Sequence, residues 1–237
     1  MAEQKPTIVL VHGAFAESSS WNGVVKDLEA DGYSVVGAAN PLRGVKADAQ
    51  TVSSLLSSIR GPVVLVGHSY GGSVISGAAL GHDNVKALVF VSAFAPEAGE
   101  SAADLSAKFP GSTLAPTLAP PVELADGGHD LYIDQAKFHE QFAADVPKSE
   151  AKLMAASQRP IAEAALKEPA GAPAWKDIPS WFVYGDADKN IPPAVLAWMA
   201  ERAGSKETVV VKRGSHVVMV SHSDTVARLI EKAAAEH

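Results

Sequence analysis

The stretch that most constrains this chain is residues 67–72, which read Gly-His-Ser-Tyr-Gly-Gly. It follows a short apolar run and precedes a segment of helical composition at 73–80. A serine in a glycine-lined turn between a strand and a helix is typical of a nucleophile, since so tight a turn excludes side chains at Gly67 and Gly71. The turn sets the Ser69 hydroxyl at a helix N-terminus, where backbone N–H groups favour negative charge. The motif therefore predicts a nucleophile and part of an anion-binding site.

Apolar runs and helical patterns alternate along the chain. The runs are short, rich in β-branched residues and continuously apolar, which is typical of strands covered on both faces; they lie at residues 7–11, 34–38, 63–66, 87–91, 181–184 and 208–211. Helical patterns lie between them, at residues 21–30, 47–59, 73–80, 194–202 and 224–234. The alternation predicts a mainly parallel sheet with helices on both faces. The 237 residues, 47% of them apolar, suffice for one α/β domain spanning 1–237.

The alternation breaks between residues 94 and 178. Prolines keep the first part irregular, whereas three later segments have helical composition, at residues 131–144, 148–157 and 161–167. Loops of this length without structure are uncommon in a compact domain, so the pattern favours a mostly helical insertion. The insertion leaves the sheet beyond the carboxyl end of a strand, where open α/β sheets bind ligands. We therefore expect residues 94–178 to form a lid over the functional site.

Composition excludes several classes of function. The formal net charge of −7 disfavours nucleic acid and anionic membranes as partners. The chain has no cysteine, so a disulfide framework, a thiolate nucleophile and a zinc–thiolate site are all ruled out. Residues 1–6 are polar and lead directly into the first strand, unlike a signal peptide, and no run approaches the roughly 20 apolar residues of a membrane span. We expect a cytoplasmic protein that acts on a small molecule; its oligomeric state is not readable.

The residues that would activate a serine follow the last two predicted strands. A serine hydroxyl is a weak nucleophile, so it needs a histidine to take its proton and a carboxylate to orient that histidine. Asp186 and Asp188 both follow the run at 181–184, and spacing alone does not decide between them. His216 lies in the loop after the run at 208–211, and His222 follows near the start of the last helix.

Taken together, these motifs make the chain resemble an α/β-hydrolase from end to end. The resemblance rests on His-Gly-Ala-Phe at 12–15, the Ser69 turn, the pattern Gly185-x-x-Asp188 and Gly-Ser-His at 214–216. The chain order of serine, acid and histidine is also that of this superfamily. Within it, the chain most resembles the small branch of plant methylketone and methyl-salicylate esterases, hydroxynitrile lyases and bacterial esterase-like relatives.

The resemblance implies a role for each motif. It implies that Ser69 is the nucleophile, Asp188 the orienting acid and His216 the base, because the base sits in the loop after the last strand. It also implies that the backbone N–H groups of Ala14 and Tyr70 form the oxyanion hole. Asp186 is then a solvated turn residue, and His222 a surface or capping residue.

Further side chains near the motifs have simpler expected roles. We expect the Tyr70 side chain to pack beside the turn, and His12 to brace its loop through a backbone hydrogen bond. Phe15, Phe94 and Met219 lie beside motif residues and either line an apolar pocket or belong to the core. Long apolar residues of the predicted lid could face the pocket or join the lid helices; their helical spacing favours packing.

The resemblance implies a serine carboxylic ester hydrolase, acting on small esters through an acyl-enzyme and needing no cofactor or metal. A hydroxynitrile lyase is an alternative on the same triad. The plant lyases carry a lysine after the catalytic histidine and a threonine in the first loop, where this chain has Val217 and Gly13. Both departures favour the esterase. Perhydrolase activity, or a receptor-like protein that binds ligand with slow turnover, also fits the fold and the triad.

Overall fold

In the computed structural model, which describes residues 5–236, strands and helices alternate over the first part of the chain. Residues 1–4 lie outside the described range, so the structure does not test that part of the segment predicted to differ from a signal peptide. The first elements are β1 (Thr7–Val11), α1 (Asn22–Ala30), β2 (Ser34–Ala38), α2 (Val45–Ser58), β3 (Val63–His68), α3 (Tyr70–Ala78) and β4 (Val85–Val91). A 3₁₀ turn at Ser18–Trp21 leads into α1.

Residues 94–178 combine short helices with a small antiparallel sheet. The elements are α4 (Ala102–Ala107), β5 (Val122–Glu123), β6 (His129–Leu131), α5 (Gln135–Phe142), α6 (Lys148–Ser157), β7 (Ile161–Ala162) and α7 (Glu163–Lys167). Two 3₁₀ turns, Ala115–Thr117 and Ala174–Lys176, complete the segment. Strand β6 pairs with both β5 and β7. Helices predominate, whereas the three-stranded sheet was not predicted.

The chain then returns to the main sheet. It adds β8 (Ser180–Gly185), α8 (Pro193–Arg202), β9 (Thr208–Val211), α9 (Val218–Ser221) and α10 (Ser223–Ala235). The six long strands are all parallel, in the order β2-β1-β3-β4-β8-β9. Helix α1 packs against α10 and α2 packs against α3. Every residue of β3 and β8 is buried, as continuous apolarity predicts. Within residues 5–236, no helix has the length and apolarity to cross a bilayer.

The parallel arrangement determines where the predicted site residues meet. All six strands end at the same edge of the sheet, so the loops after β1, β3, β8 and β9 share that edge. These loops carry residues 12–15, Ser69, residues 186–190 and residues 212–216. The topology therefore brings four separate sequence motifs together.

Three predicted helices have different bounds in the structure. Helix α3 begins at Tyr70 rather than at 73, because the turn at Ser69 leads directly into it. The predicted helix at 131–144 is divided between β6 and α5; the Asp134 side chain caps α5 by accepting the N–H of Ala136 at 2.9 Å. The segment at 161–167 is likewise divided between β7 and α7. In both cases, pairing with a distant strand takes the first residues out of the helix.

Candidate active site

Ser69 occupies a strained turn between β3 and α3. Its backbone has φ 54° and ψ −124°, a region that costs a non-glycine residue about 1–3 kcal/mol. The turn is tight because Gly67 and Gly71 touch: a Cβ on Gly67 would lie 2.6 Å from the carbonyl oxygen of Gly71. A Cβ on Gly71 would lie 2.6 Å from the oxygen of Val11 in β1. Both glycines are therefore required for β3, α3 and β1 to meet at the serine.

An apolar cavity of about 250 Å³ lies above Ser69. Part of its wall comes from the main sheet's loops, including Ala14, Phe15, Phe94 and Ile191. The rest comes from residues 94–178, including Ala102, Leu114, Leu118 and Leu166. None of the described residues that line it is charged. A larger surface groove of about 460 Å³ between α2, α3 and residues 168–172 is lined by none of the predicted site residues.

Asp188 and His216 form a buried pair beside this cavity. Nδ1 of His216 lies 2.7 Å from Oδ2 of Asp188, and both side chains are completely buried. The other carboxylate oxygen accepts the backbone N–H groups of Asn190 at 2.8 Å and Ile191 at 3.0 Å. The loops that carry the pair also touch, since the N–H of Ala187 donates to the oxygen of Gly214 at 3.1 Å. The carboxylate is thus held in one orientation toward the histidine.

This pairing fixes the tautomer of neutral His216. A carboxylate oxygen accepts a hydrogen bond, so Nδ1 must carry the proton and Nε2 keeps a lone pair. Nε2 is buried and makes no hydrogen bond to any described residue. A buried nitrogen without a partner calls for an explanation, and a catalytic role is one such explanation. The ring is therefore arranged to accept a proton from a group that enters hydrogen-bond range.

The loop after β1 lies directly against the serine. A Cβ on Gly13 would lie 2.7 Å from Cβ of Ser69. The loop is braced on both sides: the Asn40 amide donates to the carbonyl of His12 at 2.8 Å, and the N–H of Phe15 donates to the carbonyl of Arg159 at 3.0 Å. His12 donates from Nδ1 to the carbonyl of Gly13 at 2.9 Å, which is the bracing contact expected from the sequence.

The two predicted oxyanion donors, Ala14 and Tyr70, lie near Ser69. Ala14 and Tyr70 both line the cavity together with Ser69. Tyr70 opens helix α3, so its N–H is one of the free donors at the helix N-terminus. The arrangement suits a pair of N–H donors facing one developing negative charge.

The Tyr70 side chain does more than pack beside the turn. Its hydroxyl donates to Oδ2 of the fully buried Asp48 at 2.7 Å. The same carboxylate accepts the backbone N–H groups of Arg43 at 3.1 Å and Gly44 at 3.3 Å. Burial, and then the adjacent Asp48 charge, raise the pKa of Tyr70 well above its usual value. Asp48 therefore links Tyr70, the residue after Ser69, to the loop after β2.

His68 is a site residue that the sequence analysis missed. It is fully buried, and its ring lies 4.8 Å from the ring of His216. Its Nε2 lies 3.0 Å from the carbonyl oxygen of His216, which only accepts, so Nε2 carries the proton. Burial, together with the nearby His216, holds the pKa of His68 well below its usual value. The position between Gly67 and Ser69 was the available signal.

The alternative acid and base, and the apolar residues beside the motifs, occupy different environments in the structure. Asp186 is exposed and accepts the N–H of Arg213 at 2.5 Å. His222 is partly exposed and lies 3.6 Å from Asp145, away from the buried pair. Of the three apolar candidates, Phe15 and Phe94 line the cavity, whereas Met219 is buried and does not line it. Among the long apolar residues of residues 94–178, Phe142 packs 5.2 Å from the His216 ring.

Comparison with known proteins places the chain in a family. The profile of the alpha/beta hydrolase family matches residues 8–229, nearly the whole chain. The chain therefore belongs to the alpha/beta hydrolase family, and the predicted fold and resemblance are confirmed.

Particular relatives can also be named. Alpha/beta hydrolase nvfD of Aspergillus novofumigatus is 26% identical over 254 residues, covering 98% of this chain and 98% of the relative. A pyrethroid hydrolase of Sphingobium wenxiniae is 26% identical over 243 residues, covering 94% of this chain and 85% of the relative. The crystal structure of polyneuridine aldehyde esterase matches with a TM-score of 0.82 at 18% identity, covering 97% of this chain and 99% of that one. At this identity the structural match shows the shared fold.

Proposed function

We propose that this chain is a serine carboxylic ester hydrolase of the carboxylesterase type that acts on small, uncharged esters. The observation that carries the proposal is the buried Asp188–His216 pair with its free Nε2. The His216 ring lies 4.8 Å from the ring of His68, the residue before Ser69, and Ser69 lines the apolar cavity. An ion pair that serves only stability needs no free nitrogen on its histidine. A general base does, because it receives a proton on that nitrogen's lone pair.

The first half of the proposed reaction acylates Ser69. Oγ of Ser69 attacks the ester carbonyl carbon while Nε2 of His216 takes the hydroxyl proton. The N–H groups of Ala14 and Tyr70 hold the oxyanion of the tetrahedral intermediate. The intermediate collapses as the bond to the leaving alkoxide breaks, and His216 gives its proton to the departing alcohol. Asp188 stays ionised and stabilises the imidazolium while it exists.

The second half releases the acid. A water molecule attacks the acyl carbon and gives a proton to Nε2 of His216. The second tetrahedral intermediate expels Oγ of Ser69, which takes that proton back, and the carboxylic acid leaves. Every step uses groups of this chain and one water, so the proposal includes neither a cofactor nor a metal.

The lining of the cavity supports a small, uncharged substrate. Desolvating a charged group in a cavity without a charged partner is costly, so charged esters are disfavoured. The names of two similar proteins, a pyrethroid hydrolase and polyneuridine aldehyde esterase, agree with hydrolytic chemistry on this fold.

The geometry at two positions argues against the plant-type lyase. A threonine at position 13 would bring its Cβ to 2.7 Å from both Cβ of Ser69 and the oxygen of His68, which this backbone does not accommodate. Val217, at the position of the lyase lysine, is completely buried among apolar residues. A threonine at position 13 or a lysine ammonium group at position 217 would require a different loop.

The proposal is tested by assaying the pure protein against p-nitrophenyl acetate and p-nitrophenyl butanoate. Wild type should hydrolyse both, and Ser69→Ala should lose at least about 10³-fold in kcat with an unchanged melting temperature. Ser73→Ala is the matched control, since Ser73 is a buried serine of helix α3, which follows Ser69, and its hydroxyl has no partner among the described residues. It should stay within about twofold of wild type. Retained activity in Ser69→Ala would overturn the assignment.

A further inference from the structure

Asn190 places one amide inside the otherwise apolar cavity. It lines the cavity together with Ser69 and is only 5% exposed. The serines at positions 106 and 112 lie at more exposed positions of the same wall. Of the buried lining residues within residues 5–236, Ser69, Tyr70 and Asn190 have polar side chains, and the Tyr70 hydroxyl is already bound to Asp48.

The orientation of this amide follows from its neighbours. Gln141 reaches Asn190 from helix α5, and its side-chain nitrogen also lies 3.1 Å from the carbonyl oxygen of Lys189. A carbonyl oxygen only accepts, so the atom of Gln141 that faces it must be Nε2. The Oε1 of Gln141 in turn accepts the Thr113 hydroxyl at 2.9 Å. The orientation of Gln141 is thus set by the Lys189 carbonyl, and the Thr113 hydroxyl, which can donate or accept, is compatible with it.

That orientation fixes Asn190 as well. Nε2 of Gln141 lies 2.7 Å from the Asn190 side chain, and a donor there requires Oδ1 of Asn190 as its acceptor. The acceptor end of the amide is therefore occupied. Nδ2 makes no hydrogen bond to any described residue. It is not fully buried, since it is absent from the buried atoms without a partner. Because Asn190 lines the cavity, its two free donors are available to a ligand there.

Asn190 is also rigidly joined to the site. Its backbone N–H donates to Oδ1 of Asp188 at 2.8 Å. The amide is thus held from both sides, by Asp188 through its backbone and by Gln141 through its side chain. A donor that is already oriented loses little entropy when it binds a ligand.

We infer that Asn190 is a specificity-determining residue that donates to a second oxygen of the substrate, a ketone, ether or hydroxyl oxygen on an otherwise apolar ester. The inference rests on the proposed ester hydrolysis and names its substrate class. A plain hydrocarbon chain over Nδ2 would strip the amide of water and offer no acceptor in return. An oxygen at that place restores the hydrogen bond, so oxygenated esters should be preferred over hydrocarbon esters of equal size.

The test compares esters of matched size with and without the extra oxygen. The pairs are phenyl levulinate with phenyl pentanoate and, on the alcohol side, methoxyethyl acetate with butyl acetate. Each kcat/KM is divided by the rate of hydroxide-catalysed hydrolysis, which removes differences in intrinsic reactivity. Wild type should prefer the oxygenated member of at least one pair by about tenfold, as one neutral hydrogen bond predicts.

The variants locate the preference. Asn190→Leu and Asn190→Ala should both reduce the preference to about one. The alanine variant is included in case the larger leucine side chain disturbs folding. Gln141→Leu, which frees the amide to rotate, should weaken it partly. Ser106→Ala removes a hydroxyl from the same wall and should leave the ratio unchanged.

Two results would overturn the inference: no preference in wild type for any pair, or a preference that survives in both Asn190 variants. Neither bears on the proposed function, which is tested by Ser69→Ala on plain aryl esters.

Discussion

The carboxylate of Asp188 lies 2.7 Å from Nδ1 of His216, and both side chains are completely buried. The two residues come from loops after different strands, β8 and β9, which are neighbours in the sheet. Nε2 of His216 is buried and has no hydrogen-bond partner among the described residues. On the proposed mechanism this nitrogen is the base.

Asp188→Asn should lower kcat for aryl ester hydrolysis by about 10³–10⁴-fold, because an amide no longer fixes the tautomer of His216. Asp186→Asn, two residues away in the same turn, should stay within about twofold of wild type since Asp186 is exposed. The measurement is steady-state kinetics of both variants. Equal losses in the two would contradict the assignment of the acid.

His68 should act as a positioning residue for the base. His68→Leu removes the donor to the carbonyl of His216 and should lower kcat by about 10–100-fold, with KM within about threefold, because a misplaced base slows chemistry more than binding. His68→Gln retains an amide donor of similar reach and should recover much of kcat. A loss that falls mainly on KM, or no recovery in the glutamine variant, would argue for a purely structural role.

The same histidine should make the fold sensitive to acid. In the folded state the pKa of His68 lies well below 6.5, its usual value, mainly because of burial. Below pH 6.5 the unfolded chain therefore binds a proton that the folded chain excludes. The free energy of unfolding should fall as pH drops through and below 6.5, by up to about 1.4 kcal/mol per pH unit for this residue.

Urea unfolding at pH 7.5 and pH 5.5 measures this slope. His68→Gln should show a shallower loss of stability between the two pH values than wild type. His12, whose pKa burial also lowers, should contribute in the same direction, so His12→Asn is a second comparison. Identical slopes in wild type and His68→Gln would contradict the lowered pKa.

The hydroxyl of Tyr70 should matter for stability through Asp48. Tyr70→Phe leaves a fully buried carboxylate with only backbone donors and should destabilise the fold by about 1–3 kcal/mol. Tyr184→Phe is the matched control, since the Tyr184 hydroxyl makes no hydrogen bond to a described residue, and should change stability by less than about 0.5 kcal/mol. Chemical denaturation checks both; the prediction is wrong if the two variants lose equal stability.

The main sheet could be predicted from the sequence because its signal is local. Each of its six strands is a continuous apolar run, and the predicted bounds agree with β1, β2 and β9 and differ by at most two residues at either end of the others. The small sheet of residues 94–178 could not, because β5 and β7 have only two residues each. Their stability comes from pairing with β6, and the pattern of apolar residues within so short a segment does not reveal a distant partner.

The site shows the same division. Ser69, Asp188 and His216 could be proposed because a family pattern with fixed spacing carries them. His68 and Asn190 have no such pattern; their importance follows from what faces them in space, the carbonyl of His216 and the amide of Gln141. Nothing in the sequence relates residue 141 to residue 190.

The most direct test of the account is covalent labelling of the nucleophile. The protein is treated with a fluorophosphonate, which phosphonylates activated serines, and the labelled peptide is identified by mass spectrometry while esterase activity is followed in parallel. The account predicts one adduct, on Ser69, formed in step with the loss of activity and absent from Ser69→Ala and His216→Ala, but present in His222→Ala. An adduct on another serine, or full esterase activity after Ser69 is labelled, would contradict it.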